Sequence, residues 1–480
     1  MGLKKNLTYS AVLTFSTYLV PLIVFPYISR VLEPTGIGMV DTVEYIINYC
    51  VLCSMMGLPI LGIREIARSR DNKTILSNVF SSLFILNLIV TFCVVSFLIL
   101  LVFIVPDFYV RREFFYIGIL KIIANVFWIE WFYKGVEDFK YITIRSLIVR
   151  VAFVVSVFVF INSSSDNILY YFLFVFITIV NAICNWFHKG KYVKFSLKSI
   201  NLKSVFRPYF MLGLFALLSA VYTNLNISFL GFICNEEEVG YYTTATRIYT
   251  VVIALMSTLT GVMIPRMSVL VAERKFDDIK TLVNKVFNLL FLFGLPVIIY
   301  VLFYASDLIT LFAGEAFQSA VIPMRIVIFL VLIIGTEQIF LMQLLIPMRK
   351  DCLVTLCAMC GAIVCILFNI VFVADLKSVG SALAWVVSES VVLLLSSIAV
   401  KKYFRLSFPY RMFVSHLFIS IPYIGLGFLF LFLGDNLGVR LFLSAILFLA
   451  YFIYVEERII NVRLIYGLLN YLKSVRNIKV

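Results

Sequence analysis

KTILSNVFSSLFILNL (Lys73–Leu88) and KTLVNKVFNLLFLFGL (Lys280–Leu295) read as two copies of one segment, with Lys, Thr, Val, Phe, Leu and Phe kept in register. Outward from them, Gly38 pairs with Gly240 and Arg64 with Arg266 at a slightly smaller offset, and Glu130 pairs with Glu337. A register that survives a change in loop length marks an internal repeat rather than the chance likeness of two apolar helices. The repeat predicts two six-helix lobes, residues 1–203 and 204–405, followed by a helix pair and a cytoplasmic tail over 406–480. Six is even, so both lobes start on the same side of a membrane and are related by an axis along its normal.

The composition requires that membrane. Of 480 residues 62% are hydrophobic and 14% charged, with a mean hydropathy of +1.05, outside the range of water-soluble domains. Apolar stretches recur at the length needed to cross hydrocarbon as an α-helix, and strand-like alternation is absent. An all-α polytopic protein of about fourteen transmembrane helices is predicted. The net charge of +14 is mostly a topology signal. With the amino terminus placed in the cytoplasm, roughly 30 of the 40 Lys and Arg fall on that side and about three on the other. Both termini are then cytoplasmic, the bilayer and its headgroups are the main partner, and nucleic acid is excluded. Cys357 and Cys360 form a CxxC in mid-helix with no His nearby, which reads as packing; no metal site is expected.

No connection is long enough to fold as a soluble domain, so any chemistry lies within or between helices. Charges there need partners or a wet cavity. In the second span Asp41, Glu44, Tyr45 and Asn48 share one helix face; in the eighth, Thr243, Thr246, Arg247 and Thr250 have the same spacing. Thr14, Thr17, Tyr18 and Pro21 in the first span match Ser219, Tyr222, Thr223 and Asn226 in the seventh. These stripes predict a hydrophilic cleft between the lobes. Lys121 and Glu130 in the fourth span and Arg150 in the fifth are further intramembrane charges, able to pair with one another; Glu337 is another. Arg30 at the end of the first span suits the cleft or snorkelling equally. Pro21 and Pro26 predict a bent, hinge-like first helix.

At these residues the chain resembles the Wzx-type polysaccharide (O-antigen and capsule) flippases of the multidrug, oligosaccharidyl-lipid and polysaccharide exporter superfamily. The blocks that carry the resemblance are FPYISRVLEPTGIG, GIREIAR, WFYKGVEDFKYITIR, VGYYTTATRIY and VGSALAWVVSES, in family order over nearly the whole chain. The resemblance implies a bacterial inner-membrane flippase that carries an undecaprenyl-diphosphate-linked oligosaccharide outward by alternating access, without enzymatic activity. It implies that cavity cations meet the diphosphate, Arg247 and Arg30 first and Arg64, Lys121 and Arg150 next, because guanidinium pairs bidentately with phosphate oxygens. Tyr222, Asn226, Thr243, Thr246 and Thr250 would contact sugars. Asp41, Glu44, Asn48, Glu130 and Glu337 form a polar set open to a coupling ion, the sugars or a basic neighbour. No cofactor is expected and no phosphate-cradling GxxxxGK[ST] is present; proton and sodium both stay open as the coupling ion. Other polysaccharide assembly proteins are further candidate partners. The rival readings are a multidrug or organic-cation exporter, which would welcome Asp41 and Glu44, and a membrane-embedded polymerase or acyltransferase, which would need larger outer loops or a buried His.

Overall fold

The computed structural model describes residues 3–195, 200, 202–273, 275–348, 350–431 and 437–455, and among these there is no strand. The helices in chain order are α1 (Leu3–Met55), α2 (Leu58–Ser69), α3 (Lys73–Ile104), α4 (Pro106–Val110), α5 (Arg112–Trp128), α6 (Glu130–Gly135), α7 (Phe139–Phe160) and α8 (Asn167–His188). After them come α9 (Leu202–Ile233), α10 (Glu236–Ala272), α11 (Phe276–Phe312), α12 (Val321–Val327), α13 (Leu330–Gln338) and α14 (Asp351–Phe404). The last are α15 (Tyr410–Ile419), α16 (Ile421–Leu431) and α17 (Leu437–Tyr454). An α-helix satisfies its own backbone in hydrocarbon, which explains the uniform choice.

Among the described residues nine helices are long and apolar enough to cross a membrane, or ten with the bent pair 315–327 and 330–345 counted as one. Two of them are too long for one crossing. At 1.5 Å per residue, α1 and α14 would each run about 80 Å against a hydrocarbon core of about 30 Å. Each is broken at a residue with left-handed backbone, Glu33 (φ 57°) in α1 and Lys377 (φ 50°) in α14. The chain keeps helical torsions through Pro21 and Pro26, so the departure in α1 comes after both prolines.

The repeat segment beginning at Lys73 opens α3, where the Asn72 side chain accepts from the backbone N–H groups of Thr74 (3.0 Å) and Ile75 (3.2 Å). Its counterpart at Lys280 lies in the first turns of α11. Large apolar side chains such as Phe92, Phe97 and Phe103 stand exposed along α3, the pattern of a helix facing lipid. Lipid is as apolar as a leucine core, so inward packing rests on dispersion and ring contacts more than on the hydrophobic effect. Phe80 illustrates this, stacked on Trp131 and edge-on to Phe132 with centroids 5.8 and 5.1 Å away.

The chain divides into two compact units, residues 1–243 with 366–381, and residues 244–365 with 382–480. Within the first unit the two glycines paired by the repeat meet. A Cβ on Gly38 would overlap the carbonyl oxygen of Glu236, and a Cβ on Gly240 would overlap that of Pro34. Each glycine thus rests on the carbonyl four residues before the other, a reciprocal crossing of α1 and α10 at backbone contact. In the second unit α11, α16 and α17 pack through Tyr304, Tyr423 and Phe448, and the Tyr304 hydroxyl donates to the carbonyl of Gly427 at 3.1 Å.

Gly38→Ala is expected to lower the thermal unfolding midpoint of the purified protein in detergent, with a cost of about 1–3 kcal/mol for overpacking against rigid backbone. Gly190→Ala serves as the comparison, because its Cβ would meet no atom within 4 Å. Equal midpoints for the two variants would refute the backbone contact.

Candidate functional site

The acidic stripe of the second span forms as its spacing predicts, on the second half of α1. Asp41 and Glu44 are buried and Asn48 half-buried. Lys121 on α5 forms an ion pair with Glu44 and donates to Asn48 Oδ1 at 2.9 Å. Tyr171 on α8 donates to the second Glu44 oxygen at 3.1 Å. The Lys121 ammonium also lies 5.4 Å from the centre of the Phe174 ring. Three helices thereby meet at one ion pair, in which Lys121 is the basic neighbour of Glu44.

Among the described residues no ion pair within 4 Å joins Lys121, Glu130 and Arg150 to one another. The αL residue Ile129 (φ 37°) breaks the chain between α5 and α6 and places Glu130 at a helix start. There Glu130 pairs with Lys134 (2.8 Å) and Arg145 (4.0 Å) and accepts from Trp128 Nε1 (2.9 Å). Arg145, buried on α7, also donates to Asn185 Oδ1 and to Ser146 Oγ. A cavity of about 220 Å³ lies beside this cluster, with Asn125, Trp128, Glu130 and Lys134 in its wall. Arg150 donates to the carbonyl of Leu13 (3.0 Å), to Ser16 Oγ and to Thr17 Oγ1 (3.0 Å), fastening α7 to the first half of α1.

Of the other predicted residues, Arg30 is exposed and donates to the carbonyl of Pro26. Arg64 lies on the amphipathic α2, its side chain 46% exposed and bonded to Glu65 at 2.9 Å. Asn226 is buried and accepts from Asn369 at 2.7 Å. Thr243 and Thr246 are buried, Thr250 is exposed and bonded to the carbonyl of Thr246, and Arg247 is half-buried on the same helix. The side chains of Thr14, Tyr18, Ser219, Tyr222, Thr223 and Arg266 lie outside the described residues, as does the tail 456–480.

Several charged contacts carry no periodic signal in the sequence. On the second half of α14, Trp385 Nε1 donates to the Glu389 carboxyl at 3.0 Å. Asp307 on α11 pairs with Arg440 on α17. Arg111 clamps Glu236 at 2.6 and 3.2 Å, while Glu238 accepts the backbone N–H of Ser378 (3.2 Å) and lies 3.6 Å from Lys377 Nζ. Burial pushes the Glu236 carboxyl up, but the Arg111 hydrogen bond, a backbone hydrogen bond and the Arg111 charge together outweigh it and hold the group below the usual carboxylate range. The acidic start of α10 is thus tied to the start of α5 and to the break in α14. The AWVVSE spacing of Trp385 and Glu389, four residues apart, was the one available clue to an anchored acid.

The Lys121–Glu44 pair makes a direct test of commitment. Lys121→Met and Glu44→Gln are each expected to destabilise the protein in detergent, on the order of 3–5 kcal/mol for an uncompensated buried charge. The double variant is expected to recover much of that loss. Additive losses in thermal or denaturant unfolding would show that the two groups act separately.

Residues 3–271 match the family described as polysaccharide biosynthesis protein. A protein of Escherichia coli (strain K12) provisionally named an O-antigen transporter is 24% identical over 348 residues, 72% of this chain and 84% of the relative. A Shigella dysenteriae protein of the same provisional name is 23% identical over 406 residues, 83% of this chain and the whole relative. Among solved structures, the lipid II flippase MurJ in an inward closed conformation superposes with a TM-score of 0.75 at 13% identity, over 95% of this chain and all of that one. A multidrug-resistance MATE transporter in its inward-facing conformation gives 0.66 at 14% identity, over 82% and 94%. The chain shares the fold of these two solved structures, and the match over more than half its length makes it a member of the polysaccharide biosynthesis protein family.

Proposed function

We propose that this membrane protein moves a polyprenyl-diphosphate-linked oligosaccharide from the inner to the outer leaflet of a bacterial cytoplasmic membrane, for surface polysaccharide assembly. The observation that carries the reading is family membership joined to a set of charged and hydroxyl side chains held inside apolar helices. A lipid-linked sugar asks for that combination, since its head is polar and doubly phosphorylated while its tail stays in lipid. The relatives' names point to O-antigen as the cargo, and the shared fold is one that also serves a lipid II flippase. Alternating access is the mechanism this architecture suits, with both termini in the cytoplasm as the loop charges favour.

Arg247 is the leading diphosphate contact. It stands half-buried in the block VGYYTTATRIY, where the energetic cost of a guanidinium inside the membrane argues for a role beyond solubility. Arg30 is the second, on the first half of α1. Lys121, Arg150 and Arg64 follow, with Asn226, Thr243, Thr246 and Thr250 as sugar contacts. Lys121 must compete with Glu44 before it can bind an oxyanion, and Arg150 with three acceptors on α1.

The test is flipping of a fluorescent lipid-linked oligosaccharide in vesicles that hold the purified protein. Arg247→Ala is expected to slow flipping about 10- to 100-fold, the scale of lost charge-assisted hydrogen bonds, with Arg247→Lys intermediate. Wild-type vesicles that leave the lipid-linked sugar unflipped yet expel an organic cation would replace this reading with drug export. Undiminished flipping in Arg247→Ala would remove the residue from the site.

A further inference from the structure

The cavity beside Glu130 lies wholly within the first unit, walled by residues next to two left-handed breaks in the chain. Met55 precedes Met56 (φ 44°) at the end of the second half of α1, and Trp128, Ile129 (φ 37°) and Glu130 span the break between α5 and α6. Its volume of about 220 Å³ equals that of about seven waters. Drug-sized ligands ask for about 300–1,000 Å³, so the occupant is small.

The polar part of the wall has hydrogen-bonding capacity to spare. Asn125 is half-buried, and among the described residues its side chain makes no hydrogen bond; its Nδ2 is buried without a partner. A half-turn about the last side-chain bond exchanges the amide's donor and acceptor, so Asn125 can offer either to an occupant. Lys134 spends one of its three N–H groups on Glu130 at 2.8 Å, and its side chain is 39% exposed. Trp128 donates its indole N–H to the same carboxylate at 2.9 Å, which fixes a half-buried ring in the wall. Glu130 thus orients both the ammonium and the indole.

Charge and shape select the class of occupant. The charges in the wall, Glu130 and Lys134, cancel, so an anion would meet the carboxylate and a cation the ammonium. An apolar occupant would leave the Asn125 amide and the ammonium without partners. A neutral ring bearing hydroxyls satisfies all of them: hydroxyls donate to and accept from the amide, accept from the ammonium, and leave a C–H face for the indole.

We propose that this cavity binds one neutral pyranose ring, with Asn125 and Lys134 bonding its hydroxyls, Trp128 against its C–H face and Glu130 as the positioning residue. Asn125, Trp128 and Lys134 are not among the sugar contacts assigned above, so the site is an additional one. With the amino terminus cytoplasmic, it lies at the inner ends of α5 and of the second half of α1, the side from which a lipid-linked sugar arrives. That role in handling cargo rests on the flippase reading; the binding itself does not.

Saturation-transfer NMR of the full-length protein in nanodiscs tests it with the methyl pyranosides of glucose, galactose, mannose and N-acetylglucosamine. At least one is expected to bind saturably, and Asn125→Leu is expected to weaken that binding about 10-fold, the scale of one or two lost hydrogen bonds, with the thermal midpoint kept. In the wild type the bound sugar is expected to shield Trp128 and Met55 from hydroxyl-radical labelling and to leave Trp186, outside the cavity, unchanged. The labelling needs no variant, so it decides the matter should Asn125→Leu not fold. Absence of saturable binding by all four sugars, full affinity in folded Asn125→Leu, or no shielding of Trp128 and Met55 overturns the proposal. So does displacement of the sugar by inorganic phosphate, which would make the cavity an anion site. The probes carry neither diphosphate nor lipid, so their failure to bind leaves the flippase reading standing, and failure of vesicle flipping leaves the sugar site standing.

Discussion

The cost of placing charge in hydrocarbon organises this molecule more than any other constraint. Apolar contacts between helices gain little over contacts with lipid, so dispersion alone does not choose one helix arrangement sharply. Buried charge does, because an unpartnered ion in oil is so unfavourable that the helices must meet where partners can be found. Lys121 draws α5, α8 and the second half of α1 to one point. Arg145 joins α7 to α6 and α8, and Arg150 fastens α7 to the first half of α1. Asp307 and Arg440 do the same for α11 and α17.

Close approach sets the second constraint. At Gly38 and Gly240 the backbones of α1 and α10 touch, and the contact is reciprocal because the two residues are copies of each other in the repeat. A side chain at either position would have to displace the backbone of the other helix. Around it the clamps of Arg111 on Glu236 and of Lys377 and Ser378 on Glu238 hold the acidic start of α10. The break of α14 at Lys377 therefore lies at the same end of the first unit as the glycine crossing.

Long helices and the repeat were legible in the sequence because both are local, periodic signals. Hydropathy finds a span without knowing its neighbours, and the Lys73 and Lys280 segments align without any structure. The shared face of Asp41, Glu44 and Asn48 was legible for the same reason. Partner choice was not. Glu44 and Lys121 sit on different helices, and so do Arg145 and Asn185; spacing within a helix is silent on which face meets which. The sequence suggested that Lys121, Glu130 and Arg150 could pair together, since all are charges in the fourth and fifth spans. The αL turn at Ile129 comes between Lys121 and Glu130, and Glu130 pairs with Lys134 and Arg145 instead. Glu389 escaped notice because a single acid in an apolar run has no period.

Duplicated folds let one lobe keep structure while the other changes chemistry. The first copy surrounds Glu130 with cations, which fixes its charge and makes the position architectural. The second copy has Leu341 and Cys352 at the positions of those cations. An ion pair is content in either solvent and changes little when water enters. The position has kept its carboxyl group through the duplication, while the residues that neutralise it in the first copy have not been kept.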